Sequence, residues 1–379
     1  MIAADKPVLR RPAARLLRVD ASGELIHARR WQLAQFIQAG DVVVANDAAT
    51  LPASLRATHE RTRETIEIRL AGRDTLEPDA VLSFVAVVFG AGNFRTRTEH
   101  RPLPPPMIVG DRLMIGDVVV SVEALLDHPR FVRLRFDASP ARVWRLLARQ
   151  GRPIQYAHVH ERLALWDAWT PIAAVPVAYE PPSAGFALDW STLATLRAKG
   201  VEFVTLTHAA GISSTGDAEL DRRLPLPEPY SIPASTSLAI ANARARGRRV
   251  VAVGTTVVRA LEHSADVDGV VREGAGLADQ RIGADTQLRI VDTLLSGTHE
   301  TGTSHYELLR AFIGEDALRR ASAELDANGY LTHEFGDSIL IEADAGHRPS
   351  RARLRTAVTP AGAMPPRSRK ERVEGCAVC

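Results

Sequence analysis

The rhythm of apolar and polar residues changes twice along the chain, and those changes predict its layout. An apolar strand pattern, "DVVVA", runs from Asp41 into Asn46-Asp47. After "LPASLRATHE" come short alternating or apolar runs, "TIEIRLA", "VLSFVAVVFG", "DRLMIGDVVVSVEALL" and "FVRLRF", separated by Gly, Pro and Asp. With no amphipathic helix among them, residues 55–151 read as an inserted all-β barrel or sandwich. Its end is marked by "SPARVWRLLARQG", where Ser139 can cap, Pro140 suits the first helical position and Gly151 stops the helix. From there strand and helix patterns alternate, as in an α/β domain.

The polar residues of the α/β part recur at one kind of place. "RRVVAVGTTVVRALE" reads as a buried strand over Val250–Val253, a turn at Gly254-Thr255-Thr256, and a helix with Val257, Val258 and Leu261 at helical spacing. Such a turn either caps its helix or offers N–H groups and hydroxyls to an anion or a polar ligand edge. Likewise "AAVPVAYEPPSAG" leads into Ser183-Ala184-Gly185, "VEFVTLTHAAG" leads through Thr205 into Thr207-His208, and "DVVVA" leads into Asn46-Asp47. Ligands bind at the carboxyl ends of strands in α/β barrels and open α/β sheets. Four such placements therefore predict one site.

Composition narrows the class of protein. At 379 residues and 45% hydrophobic, the chain can bury a sizeable core and divide into two domains. No apolar run is long enough to cross a bilayer, and the start lacks the order of a secretory signal, so a cytoplasmic protein without a membrane partner is expected. The net charge of +2 does not by itself call for a nucleic acid. Lysine occurs only at Lys6, Lys199 and Lys370, so nearly all positive charge is arginine, which suits phosphate recognition or reflects codon bias. The cysteines, Cys376 and Cys379, supply only half of a zinc site and read as an incidental pair at the end of "MPPRSRKERVEGCAVC", a basic tail over 346–379 expected to be disordered. Oligomeric state is not legible.

Several stretches, in order along nearly the whole chain, resemble the S-adenosylmethionine:tRNA ribosyltransferase-isomerases of queuosine biosynthesis: "RLLRVDASGELIHARRW", "IQAGDVVVAND", "TIEIRLA", "PPSAGF", "LRAKGVEFVTLTHAAG", "RIVDTLLSGTH" and "FGDSILI". The strongest match is the turn-helix stretch, with Gly254, Thr255, Thr256, Arg259 and Glu262 in place. The resemblance implies a discontinuous α/β barrel-like main domain, residues 1–54 and 152–345, carrying a small β-barrel over 55–151. It also implies transfer of the ribosyl group of S-adenosylmethionine to 7-aminomethyl-7-deazaguanine in the tRNA anticodon, giving epoxyqueuosine, without a metal. That chemistry needs a base for a proton next to the sulfonium, an acid for adenine departure, and donors for developing charge.

The chain departs from the family in polar positions. "NDAATLPASL" has Ala49 and Thr50 where an Arg is usual, "AGFAL" lacks a His, a Tyr-Pro-Gly segment is missing from "RIGADTQLRIVD", and "GTHET" keeps only His299 of its family counterpart. Thr207 stands where the family has its His, with His208 one place later. A relative acting on a small molecule, or a non-catalytic descendant, are the alternatives.

The expected catalytic residues are His208, His299 and Asp337. The expected substrate-binding residues are Asn46, Asp47, Ser183, Gly185, Thr205, Gly254, Thr255, Thr256 and Arg259. Each also has a structural reading: His208 as a loop histidine, Asp47 and Asp337 as turn caps, Arg259 as a partner of Glu262, and Gly185 and Gly211 as places of close backbone approach. Ser304 and Glu307 read as a capping box, with His305 on the helix surface, and Trp166 and Trp169 read as core residues, with stacking on an adenine or anticodon base as the alternative.

Overall fold

The structure, a computed structural model, describes residues 2–7 and 13–349. Cys376, Cys379 and nearly all of the expected basic tail lie outside the described residues. It is a mixed α/β fold with a β-barrel inserted between strands of the main sheet.

The barrel closes in the order Val118–His128, Phe131–Phe136, Ser83–Phe89, Thr65–Gly72, Ser54–His59 and Arg112–Ile115, all neighbours antiparallel. Period-two alternation builds it: Ile66, Ile68 and Leu70 point into a core with Phe84, Val120 and Leu134, while Glu67 and Arg69 face the other way. Closure leaves no unpaired strand edge. Helix Pro140–Gln150 follows, between Ser139 and Gly151 as the sequence predicts, and lays Val143, Leu146 and Leu147 on the barrel core. Ser139 caps it through its carbonyl, which accepts from Arg142 and Val143, rather than through its side chain.

The α/β part is built on a nine-stranded sheet in the order Gly274–Ala278, Glu228–Ile232, Glu202–His208, Val42–Asn46, Val250–Val253, Thr293–Gly297, Ser338–Glu342, Arg15–Val19 and Leu25–Arg29. Its first and last strands are the edges, so the barrel-like form that the resemblance implies is realised as a layered sheet. One face packs Val44, Leu206 and Ala252 against Val257, Ile240 and Leu318 of covering helices. The other face packs Val43, Ala45, Val251 and Val253 against Leu33 and Leu196. Four central strands, Glu202–His208, Val42–Asn46, Val250–Val253 and Thr293–Gly297, run parallel. Their carboxyl ends therefore share one edge. Glu228–Ile232 and Ser338–Glu342 run the opposite way, which brings their first residues to that same edge.

Two sequence expectations are corrected here. Trp166 and Trp169 are not core residues: they are 70% and 41% exposed, because the short turn Leu165–Ala168 buries Asp167 and Ala168 instead. The Trp169 Nε1 donates to the Thr50 carbonyl at 2.9 Å. Helix Ser304–Leu309 is capped one residue earlier than expected, by the Thr303 hydroxyl, which accepts from the Tyr306 N–H. No described helix is long and apolar enough to cross a membrane.

Candidate functional site

Why the carboxyl edge of the sheet opens into a pocket begins with Gly254. Its φ of +101° turns the chain sharply from the Val250–Val253 strand into helix Thr255–Ser264, a conformation that disfavours any side chain. The Gly254 N–H donates to the Leu295 carbonyl at 2.8 Å, so the turn is pinned to the neighbouring strand. No side chain caps this helix. The first-turn N–H groups have no preceding helical carbonyl to meet, and Gly254, Thr255 and Thr256 line a cavity of about 310 Å³. The same wall carries Ser183, Glu180, Gly297 and His299.

Arg259, one turn into the helix, reaches the cavity and does not pair with Glu262. It forms a buried ion pair with Glu228 and donates to the Ala278 carbonyl at 2.7 Å. Glu262 instead accepts backbone N–H bonds from Arg289, Ile290 and Val291 at 2.7–3.0 Å. Burial pushes the Glu228 carboxyl upward while Arg259 and the Gly211 N–H oppose it. The Gly211 N–H donates at 2.6 Å, and a Cβ there would lie 2.6 Å from the Glu228 Oε1, so only glycine admits this bond.

His299 and His305 stack with ring centroids 4.5 Å apart, and both line the cavity. His305 is therefore not plain helix surface, in contrast to the sequence reading. Burial drives the His299 pKa well below its ordinary value, helped by His305 and His333. Burial and Arg259 lower that of His305 to about 4. Both rings are neutral near pH 7. Glu180 has the opposite shift: burial, and then the Glu334 charge, raise its carboxyl to about 7 against bonds from Tyr156 and from the Ser213 N–H at 3.0 Å. A neutral imidazole pair and a carboxyl shifted towards its protonated form thus face one cavity.

The structure does not bring every predicted residue to this wall. His208 is fully buried, because strand alternation turns it to the face of Leu206. Its Nε2 lies 3.5 Å from Glu228, its ring is parallel to Tyr230, and burial followed by Arg259 drives its pKa far down. It stands behind Glu228. Asn46 ties three elements together: its amide donates to the His208 carbonyl at 2.9 Å and the Thr256 hydroxyl at 3.3 Å, and its oxygen accepts the His208 N–H at 3.0 Å. Asp47 accepts from the Thr205 and Thr207 hydroxyls at 3.0 and 2.7 Å, outside the cavity lining. Gly185 lies beneath, where a Cβ would meet Thr170 at 3.0 Å.

Asp337 sits at the correct edge, but its carboxylate is fully engaged. It accepts from the Arg15 N–H at 2.9 Å, the Arg15 guanidinium at 3.1 Å and the Leu331 N–H at 2.9 Å. It fastens a turn. Glu180 and Glu228 were not singled out by the sequence, since each sits in a local pattern that reads as proline-rich loop or strand, and His305 was read as helix surface. A carboxylate beginning a strand, as in "PLPEPYSI", is the one signal that marks Glu228.

The family model described as "Queuosine biosynthesis protein" matches residues 1–341. An S-adenosylmethionine:tRNA ribosyltransferase-isomerase of Thiobacillus denitrificans is 33% identical over 348 residues, covering 90% of this chain and 94% of the relative. One of the same name from Sorangium cellulosum is also 33% identical, over 89% and 94%. A solved S-adenosylmethionine tRNA ribosyltransferase of Thermotoga maritima aligns with 24% identity and a TM-score of 0.47, over 89% of this chain and 96% of that one. On the extent of the family match and the identity to full-length relatives, the chain belongs to the queuosine biosynthesis protein family.

Proposed function

We propose that this chain is an S-adenosylmethionine:tRNA ribosyltransferase-isomerase, which moves the ribosyl group of S-adenosylmethionine to 7-aminomethyl-7-deazaguanine at the tRNA wobble position, in the cytoplasm. The observation that carries the reading is the convergence of the Gly254–Thr256 helix start, Ser183, the Arg259–Glu228 pair and the His299–His305 pair on one cavity. Its volume of about 310 Å³ lies at the lower end for small-molecule sites. Relatives that the chain matches nearly end to end carry this activity in their names.

The chemistry divides among these groups. Thr255 and Thr256, with the N–H groups of the helix start, hold ribose hydroxyls or the methionine carboxylate. Neutral His299, with His305 against it, takes the proton next to the sulfonium. Glu180, protonated in part near pH 7, gives a proton to the departing adenine. Glu228 and Arg259 fix the cavity floor, while Asn46, Asp47, Thr205, Gly185, His208 and Asp337 support it from behind. S-adenosylmethionine enters as substrate, and no step here needs a metal.

Incubation with S-adenosylmethionine and tRNA bearing the deazaguanine base tests the reading, with mass analysis of the nucleosides and of released adenine. Epoxyqueuosine with equimolar adenine is the expected result. Binding of S-adenosylmethionine without any change in the tRNA would overturn it.

A further inference from the structure

Beside the first cavity lies a second, of about 560 Å³, that shares Ser213 with it. Its wall carries His158, His333 and Glu334; none of them has a contact with substrate in the reaction above, although Glu334 and His333 bear on the Glu180 and His299 shifts. We propose that these three side chains form a binding site for a divalent transition-metal ion of the zinc or iron(II) class. The proposal takes none of its ligands from the residues given roles in the transfer reading, but an ion on Glu334 would weaken the push on the Glu180 carboxyl, so it is tested by metal binding and not by turnover.

One ligand atom from each of the three lies within 4.8 Å of the others. The His158 Nε2 is 3.2 Å from the Glu334 Oε2. Two nitrogens or oxygens bound tetrahedrally to one zinc ion at about 2.0–2.1 Å sit roughly 3.3–3.4 Å apart, so this spacing already suits a shared ion. The His158 and His333 rings are nearly parallel, 24° apart with centroids at 4.6 Å. Two imidazoles and one carboxylate, with open cavity beside them, are a donor set suited to zinc or iron(II) rather than to magnesium or calcium. The Glu300 Oε1 lies 3.7 Å from the His333 Nε2, where it can orient that ring or supply a further oxygen.

The framework holds these groups in place. His158 sits on a loop closed by buried Gln155, whose amide donates to the Val159 and Glu161 carbonyls at 2.8 and 2.7 Å and accepts the Leu163 N–H at 3.0 Å. Tyr156 stacks parallel to His158, 6.1 Å away. His333 adopts a φ of +68°, a left-handed conformation that a non-glycine residue keeps only when its surroundings enforce it. What enforces it is the Leu331–Asp337 turn, closed by the Gly336 N–H to the His333 carbonyl at 2.9 Å and by the Asp337 carboxylate on the Leu331 N–H. A backbone held at this cost, beside a donor set open to a cavity, is the arrangement that a ligand site needs.

Cobalt(II) is the probe, because its visible absorption reports nitrogen and oxygen ligation. Full-length protein carrying Cys376→Ser and Cys379→Ser, so that the tail thiols cannot contribute, is stripped with chelator and titrated. One Co²⁺ per chain should bind saturably, raise the melting temperature, and be displaced by Zn²⁺. His158→Gln and His333→Asn, the latter chosen because asparagine tolerates the left-handed backbone, should each weaken binding more than about tenfold and abolish the metal-dependent rise in melting temperature. His160→Ala, an exposed histidine two places from His158, should change neither. Absence of saturable binding, or binding of equal strength in both histidine variants, would overturn the proposal.

Discussion

The outer wall of the barrel and the carboxyl edge of the main sheet both bury charge, and they treat it in opposite ways. On the barrel, Glu67 accepts from Arg69 at 2.8 Å and from Arg101, while Arg101 also donates to the Ala91 and Gly90 carbonyls. Burial works against the Glu67 charge, yet the two guanidinium groups hold its pKa down at about 2. Opposite charges are thus matched there, although the Arg69 Nη1 finds no hydrogen-bond partner among the described residues. At the sheet edge, both ring nitrogens of buried His208 lack a hydrogen-bond partner among the described residues, the first turn of helix Thr255–Ser264 has no side-chain cap, and carboxyl and imidazole groups are shifted away from their charged forms. Charge met by opposite charge builds a wall, whereas groups pushed towards their neutral forms beside a cavity mark a candidate site.

Removing one cation from each region gives the strongest test of that contrast. Arg259→Ala leaves Glu228 buried without its counter-charge and should cost about 3–5 kcal/mol, read from urea unfolding. Arg101→Ala should cost less, about 1.5–3 kcal/mol, because Glu67 keeps Arg69. It should also leave binding of S-adenosylmethionine unchanged. A larger loss in the barrel variant would break the comparison. The barrel network also sets an acid limit. The Glu67 pKa is depressed on folding, so its contribution is fully present above the ordinary carboxylate range and is lost as pH falls from about 4.5 towards 2. Unfolding midpoints measured across that window should fall in the wild type and stay flatter in Glu67→Gln.

Next come Thr255→Val and Thr256→Val. Each should weaken S-adenosylmethionine binding by about 1–3 kcal/mol, for a lost bond to a buried partner, with a smaller change in melting temperature. Normal binding with easier unfolding would make the turn a helix start and nothing more. His305 gives a subtler effect. Its folded pKa of about 4 lies below the ordinary 6.5, so the unfolded chain takes a proton that the folded chain refuses, and stability falls as pH drops from about 6.5 to 4. His305→Gln should reduce that slope in a pH series of melting temperatures, leaving the part that the His299 and His208 shifts contribute. Trp166→Ala should have the least effect on stability, within about 0.5 kcal/mol, since the ring is largely exposed.

What the sequence makes legible is local and periodic. Alternation marked the barrel strands, and β-branched runs ending in polar residues marked the Val42–Asn46, Glu202–His208 and Val250–Val253 strands. The stretch around Gly254 was legible because only glycine suits its backbone. Residue type alone did not separate His208 from His299. A one-residue difference in strand phase sends the first into the core, while the second follows its strand end into the cavity. Asp337 likewise reads as a free carboxylate until Arg15, far away in the chain, is seen to occupy it.

The sequence by itself determined the elements, the inserted barrel and the place of the site at one end of the strands, because propensity, alternation and turn chemistry act over a few residues. Only the tertiary structure decided which polar groups meet. Glu228 comes to Arg259, His305 to His299, and His158 to His333 and Glu334 through strand order and loop closure. Apart from His299 and His305, which are close in the chain, those contacts span long stretches of it, and their protonation follows from burial and neighbouring charge, which no local pattern encodes.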